Sequence, residues 1–314
     1  MNTEIKNAVK ATEMKAQYDA SAKRLLGQKI ILAQILVKTV DEFKGMDPQV
    51  VAGYIEGTTY ISTVPVEPGL TNIISSKNGE RLAGFNTEEQ EINEGLVRFD
   101  IVFYVRMKDG LSQIIVNVEA QKDEPEKYEI VNRAVFYVSR LISSQKERDF
   151  ENSNYDDIKC VYSIWLCMNM EENSMSHIHL IKEDVIGSYD WKGRLDLFHI
   201  VMIGLAKELP DHDDPYELHR LLGALLSQEL TADEKLSIIE KEYDIPIEEN
   251  MREDVSVMCN LSEGIEEKGR AEGLIEGEAG LIQKMYKNGM SAEQIASATE
   301  KTIEEVETII SSIR

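Results

Sequence analysis

Residues 97–121 read VRFDIVFYVRMKDGLSQIIVNVEAQ. Two β-like runs flank Asp109-Gly110, a dipeptide suited to a two-residue hairpin turn. With those two residues as the loop, Lys108 faces Leu111, and stepping outward places Asp100 opposite Glu119. Side-chain alternation then sorts the hairpin. One face carries Phe99, Ile101, Phe103 and Val105 against Ala120, Val118, Val116 and Ile114, all apolar. The other carries Arg98, Asp100, Val102 and Tyr104 against Gln121, Glu119, Asn117 and Ile115. The register that fits the turn also separates core from chemistry.

Two carboxylates opposite each other on a sheet repel. A hard divalent cation with oxygen ligands, such as Mg²⁺ (or Mn²⁺), is one way to hold them together. It acidifies a bound water and stabilises charge on a phosphoryl oxygen. The other reading is a solvated hairpin face with two acids near Arg98. The first predicts that neutralising Asp100 stabilises the metal-free protein; the second predicts the reverse.

Working outward, KCVYSIWLCM (159–168) is continuously apolar between polar clusters, which suits a strand buried on both faces. HIHLI (177–181) is a shorter strand candidate. Residues 53–93 are punctuated by Pro65, Pro68, Gly69, Asn78-Gly79 and Gly84, and read as turns among short strands. Helical spacing of apolar residues runs from about Ser21 to Phe43 and from about Tyr128 to Phe150. Beyond about residue 194 the pattern turns helical, with a capping box at Thr231 and Glu234. Glycines at 264, 269, 273, 277 and 280 alternate with glutamates and fit either a glycine-edged helix or a linker. Two short helices follow, starting at Ser291 and Thr302 with acceptors Gln294 and Glu305 three residues on.

The chain has 314 residues, 42% of them hydrophobic, enough for a real core. With 57 acidic and 34 basic residues the net charge is −23, so bulk attraction to DNA is excluded and any nucleic-acid contact must be a local, metal-assisted patch. No secretory leader or membrane span is expected. Cys160, Cys167 and Cys259 lack CxxC spacing and read as reduced thiols of a cytoplasmic protein. His177 and His179 share one side of a strand, a metal-ligand spacing without a nearby third ligand.

The spacing of Asp100 to NVEAQ resembles the PD-(D/E)XK nuclease core. EGLVRFDIVFYV, IIVNVEAQ, NRAVFYVSRLISSQ and VYSIWLCMN together resemble its transposase-like branch, the recombination-promoting nucleases, as does the tail EKGRAEGLIEGEAG with its hairpin. The resemblance implies an α/β, restriction-endonuclease-like core, a mixed central sheet flanked by helices, over residues 15–194. A helical extension (195–262) and a C-terminal helical hairpin for oligomerisation (263–314) follow. It implies a metal-dependent DNA endonuclease, with Asp100 and Glu119 as metal ligands and Glu94 as an additional acid before the first strand. Gln121 stands where the wider superfamily has lysine; a glutamine can orient water but brings no positive charge. Lys122 points away by alternation.

Arg133, Tyr137, Arg140 and Ser144 recur on one side of the helix after the second strand, and Val131, Ala134, Val135, Val138 and Leu141 are expected to form its buried side. The two arginines, with Tyr137 and more loosely Gln145, are candidates for holding a DNA backbone. The alternative is an amphipathic helix whose arginines pair with surface acids. Two rival functions stay open: a non-catalytic relative serving as an interaction or regulatory protein, and a DNA-binding module acting through the tail. The acidic second tail helix (Glu304, Glu305, Glu307) favours association, a homo-oligomer, over lying in a DNA groove.

Overall fold

The computed structural model describes residues 17–18, 20–57, 60–61, 65–66, 73–75, 81–83, 88–91, 95–98, 100–108, 113–121, 125, 127–146, 149–299 and 301–311. The chain forms two compact units, one spanning Asp19–Val257 and one that includes the chain from Met258 onward.

In the first unit, helical residues 20–26 are separated from α1 (Lys29–Thr39) by a break at Gly27 and Gln28. The apolar spacing predicted one helix to Phe43; glycine's low helix propensity lets the chain turn at 27 instead. Pro48 opens the short α2 (Pro48–Ala52), and the Asp47 side chain accepts from the Gln49 N–H. Next come β1 (Tyr60–Ile61), β2 (Pro65–Val66), β3 (Ile73–Ser75), β4 (Arg81–Ala83), β5 (Glu88–Glu91) and β6 (Gly95–Arg98). Apart from β1 these form two small sheets, β2-β5-β6 and β3-β4, as the turn punctuation anticipates.

The main sheet contains β7 (Ile101–Arg106), β8 (Gln113–Gln121), β9 (Cys160–Met170), β10 (Ser174–His179) and β11 (Phe198–Ala206), ordered β1-β7-β8-β9-β11-β10. β8–β9 and β9–β11 are parallel and the other pairs antiparallel, so the sheet is mixed. Ile101 pairs with Val118 and Arg106 with Gln113, the register that the Asp109-Gly110 turn demands. The turn residues themselves lie outside the described ones.

Helix α3 (Ile130–Ser143) packs on β9 and β11. Its Ala134, Tyr137, Val138 and Leu141 join Val102, Tyr104, Ile115, Val161 and Trp165 in one core. By alternation Ile101, Phe103 and Val105 point to the opposite face, and they too are buried. Both hairpin faces are therefore covered, and the chemistry sits inside a helix–sheet layer.

Two expectations shift here. β11 lies between β9 and β10, so the sheet runs past residue 194, and the stretch read as the start of a helical extension supplies a central strand. The expected α3 face is also rotated: Val131 and Val135 are exposed, while Tyr137 and Arg140 turn inward. The sheet beneath offers Trp165, on which the inward Tyr137 packs with ring centroids 5.5 Å apart. Helix α4 (Glu217–Leu226) packs on β11 and touches α1. The capping box of α5 (Ala232–Tyr243) is formed by Thr231 and Glu234.

Helix α6 (Glu249–Lys287) is continuous through the spaced glycines, so that stretch is helix rather than linker. In the second unit α7 (Ala292–Thr299) and α8 (Ile303–Ser311) start at the two expected capping boxes. Ile282, Ile295, Ala296 and Val306 form its core. Among the described residues no helix is long and apolar enough to cross a membrane.

Candidate functional site

Asp100 sits at the bend just before β7, and Glu119 near the end of β8 on the face covered by α3. The hairpin ties them together through its backbone. The Asp100 N–H donates to Glu119 Oε1 at 3.0 Å, and the Ala120 N–H donates to Asp100 Oδ2 at 2.9 Å. The remaining oxygen, Asp100 Oδ1, lies 2.7 Å from the ammonium of Lys23, in the helical residues 20–26. Both side chains of that ion pair are largely withdrawn from solvent, at 13% and 16% exposure.

Glu119 is more deeply buried, at 3% exposure, and its nearest arginine nitrogen is Arg133 Nη2 at 4.0 Å. Burial, and then the charge of Asp100, push its carboxyl well above the usual carboxylate range, against the opposing pull of the Asp100 N–H, Arg133 and Asn117. Of the two carboxylates, Glu119 is the one short of positive charge.

Arg133 organises the other side. Its guanidinium donates to Gln121 Oε1 at 3.3 Å, to the Tyr128 hydroxyl at 3.2 Å and to the Tyr137 hydroxyl at 2.8 Å. It also lies over the rings of Tyr137 and Trp165, 4.8 and 5.4 Å from their centroids. Tyr137 is held above its usual range by burial first and then by the charge of Glu119. A cavity of about 450 Å³, lined largely by Ile130, Val131, Met170, Ile178 and Met202, adjoins the site at Gln121.

The structure thus brings together Asp100, Glu119, Gln121, Arg133 and Tyr137. It does not bring in the other two predicted DNA contacts. Arg140 is only 7% exposed, and Gln145 is fully buried with both ends of its amide bonded to the backbone of Lys159. These two secure α3 to the start of β9 or lie within the core, because the helix is rotated inward. Glu94 lies outside the described residues. Sequence reading missed Lys23, since a lysine in an apolar helical run carries no local sign of a partner 77 residues away. It also missed Trp165 as a platform for Arg133, although its place opposite Glu119 follows once β8 and β9 are paired in parallel.

The donor chemistry suits a hard cation: the oxygens are carboxylate and amide, and Glu119 is under-neutralised. Among the described residues no group of three or more His, Cys, Asp or Glu is placed to hold a metal ion, so the described acids number two. The paired strand histidines form a different arrangement. His177 Nε2 and His199 Nδ1 are 2.9 Å apart, His199 stacks on Tyr162 at 4.2 Å, and His199 Nε2 reaches the Asp196 carbonyl at 3.1 Å.

No protein-family model matches the sequence, and no match is found among curated proteins or solved structures.

Proposed function

We propose that this chain is a metal-dependent DNA endonuclease, hydrolysing phosphodiester bonds at the Asp100–Glu119 pair. The observation that carries the reading is the buried, under-neutralised Glu119 carboxylate held against Asp100 at a strand end. Such a pair costs stability unless something positive engages it. The resemblance of the hairpin to the PD-(D/E)XK pattern points to Mg²⁺ or Mn²⁺, with Asp100 and Glu119 as protein ligands. A divalent ion there supplies an acidified water and charge stabilisation at the phosphoryl oxygen.

The chain's own groups have definite tasks. Gln121, whose amide oxygen is fixed by Arg133, orients the attacking water by hydrogen bonding. Arg133, partly exposed and rigidified by Tyr137 and Trp165, offers a guanidinium to a phosphate of the DNA backbone. Arg133 would be the local cation through which an acidic chain meets a phosphate, with the bound metal adding to it. Association of copies through the C-terminal hairpin and a cytoplasmic setting, consistent with buried free thiols at Cys160 and Cys167, belong to the same proposal.

A second reading, a non-catalytic interaction protein that keeps the fold, has one observation in its favour. Lys23 and two backbone N–H groups already provide each carboxylate with an internal partner. Incubation of supercoiled plasmid with the protein in Mg²⁺, in Mn²⁺ and in EDTA separates the two. Nicking that requires the metal supports the nuclease; intact plasmid in all three supports the interaction protein.

A further inference from the structure

The cation that the site holds in this structure belongs to the protein. Lys23 Nζ occupies Asp100 Oδ1 at 2.7 Å, while Oδ2 is committed to the Ala120 N–H. Oδ1 is therefore the Asp100 oxygen held by a side chain rather than by the backbone, and an ammonium and a divalent ion drawn to it compete, because like charges so close repel in a desolvated setting. On the second strand, Gln121 is neutral, and the Arg133 guanidinium lies 4.0 Å from Glu119 Oε2. Among the described residues Lys23 is the cation that forms an ion pair with Asp100. The positive charge that a (D/E)-x-K strand would carry beside the metal is delivered here from outside the sheet.

We infer that Lys23 is an exchangeable counter-ion: it neutralises Asp100 in the metal-free protein, and a divalent cation binds by displacing it. Displaced from Asp100, the ammonium stays on its four-carbon stem beside the site. The inference rests on the proposed metal-binding reading of Asp100, but not on catalysis.

Lys159 provides an internal control. Its ammonium is 3.0 Å from Asp149, its side chain is also 13% exposed, and no metal role is assigned to that pair. The test is competitive acylation of the wild-type protein by an amine-reactive ester, followed by peptide mass spectrometry, with Mg²⁺ titrated against EDTA. Mg²⁺ should accelerate modification of Lys23 severalfold and leave Lys159 unchanged. Equal rates at Lys23 with and without saturating Mg²⁺ overturn the exchange. In parallel, Lys23→Met should bind Mg²⁺ roughly tenfold more tightly by calorimetry, because the competing charge is gone. Unchanged or weaker binding in a folded Lys23→Met protein also overturns it. The plasmid assay keeps the two ideas apart: metal-dependent nicking with an unresponsive Lys23 defeats the exchange alone. A Lys23 that responds to Mg²⁺ in a protein that does not nick DNA defeats the nuclease alone.

Discussion

Asp100 and Glu119 are neighbours with opposite balances. Asp100 has a lysine at 2.7 Å, whereas Glu119 is buried with its closest guanidinium nitrogen at 4.0 Å. Alternation on the hairpin predicted mutual repulsion and hence a gain in stability on neutralising Asp100. The structure moves that gain to Glu119, because Lys23 arrives from a distant segment and partners Asp100. Glu119→Gln should therefore stabilise the metal-free protein by roughly 0.2–1 kcal/mol, the scale of a like-charged cross-strand pair. Asp100→Asn should destabilise it by about 1–3 kcal/mol, since it removes the charged partner of a mostly buried lysine. Thermal melts in EDTA read both signs, and a higher melting point for Asp100→Asn contradicts the pairing. At Gln121, loss of the amide in Gln121→Ala should slow cleavage roughly 10–100-fold with little change in Mg²⁺ affinity, whereas Gln121→Lys should retain cleavage. Equal rates for wild type and Gln121→Ala take this residue out of the mechanism.

At the scale of elements, β10 and β11 bring together His177 and His199, whose surroundings resist protonation. Burial first, then the neighbouring imidazole charges, lower His177 and His199 below the usual 6.5. Asp41 opposes the shift at His177, while the Asp196 carbonyl and carboxylate oppose it at His199; Lys44 and His179 add to the lowering at His177. The unfolded chain then binds protons that the folded one resists. Stability from this cluster is complete above pH 6.5 and is lost as pH falls below it. Melting temperatures from about pH 7.5 to 5 should fall in wild type and fall less in His199→Asn; parallel curves argue against the cluster as the cause.

The same elements show what was legible. The β7–β8 register, the doubly buried β9 and the tail capping boxes follow from local rules, because turn chemistry, apolar runs and capping residues act over a few positions. The orientation of α3 does not: its exposed Val131 and Val135 and its inward Tyr137 depend on what the sheet presents beneath it. Central strand β11 was hidden because an apolar run of its length suits strand or buried helix alike. Lys23 was hidden for the reason that most long-range ion pairs are: nothing beside it in sequence marks its partner.

For the whole molecule, the division into two units and the continuity of α6 through its glycines give the tail a definite form. The acidic capped hairpin carries the proposed association of copies, since Glu304, Glu305 and Glu307 disfavour a place in a DNA groove. Deleting residues 264–314 should lower the mass measured by light scattering while leaving a cooperative melt of the α/β unit; an unchanged mass removes the tail from assembly. With a net charge of −23, the proposed DNA substrate would be met by only a few local cations. The proposed cleavage rests on the Asp100–Glu119 pair. The measurement that reaches it most directly is a time course of supercoiled-plasmid nicking in Mn²⁺ by wild type and by Glu119→Gln, each first shown to be folded by its melt. The account predicts nicking by wild type that EDTA stops, and nicking by Glu119→Gln reduced at least about a hundredfold, since the near-isosteric amide keeps the shape but not the ligand charge. Equal nicking by the two proteins would contradict it.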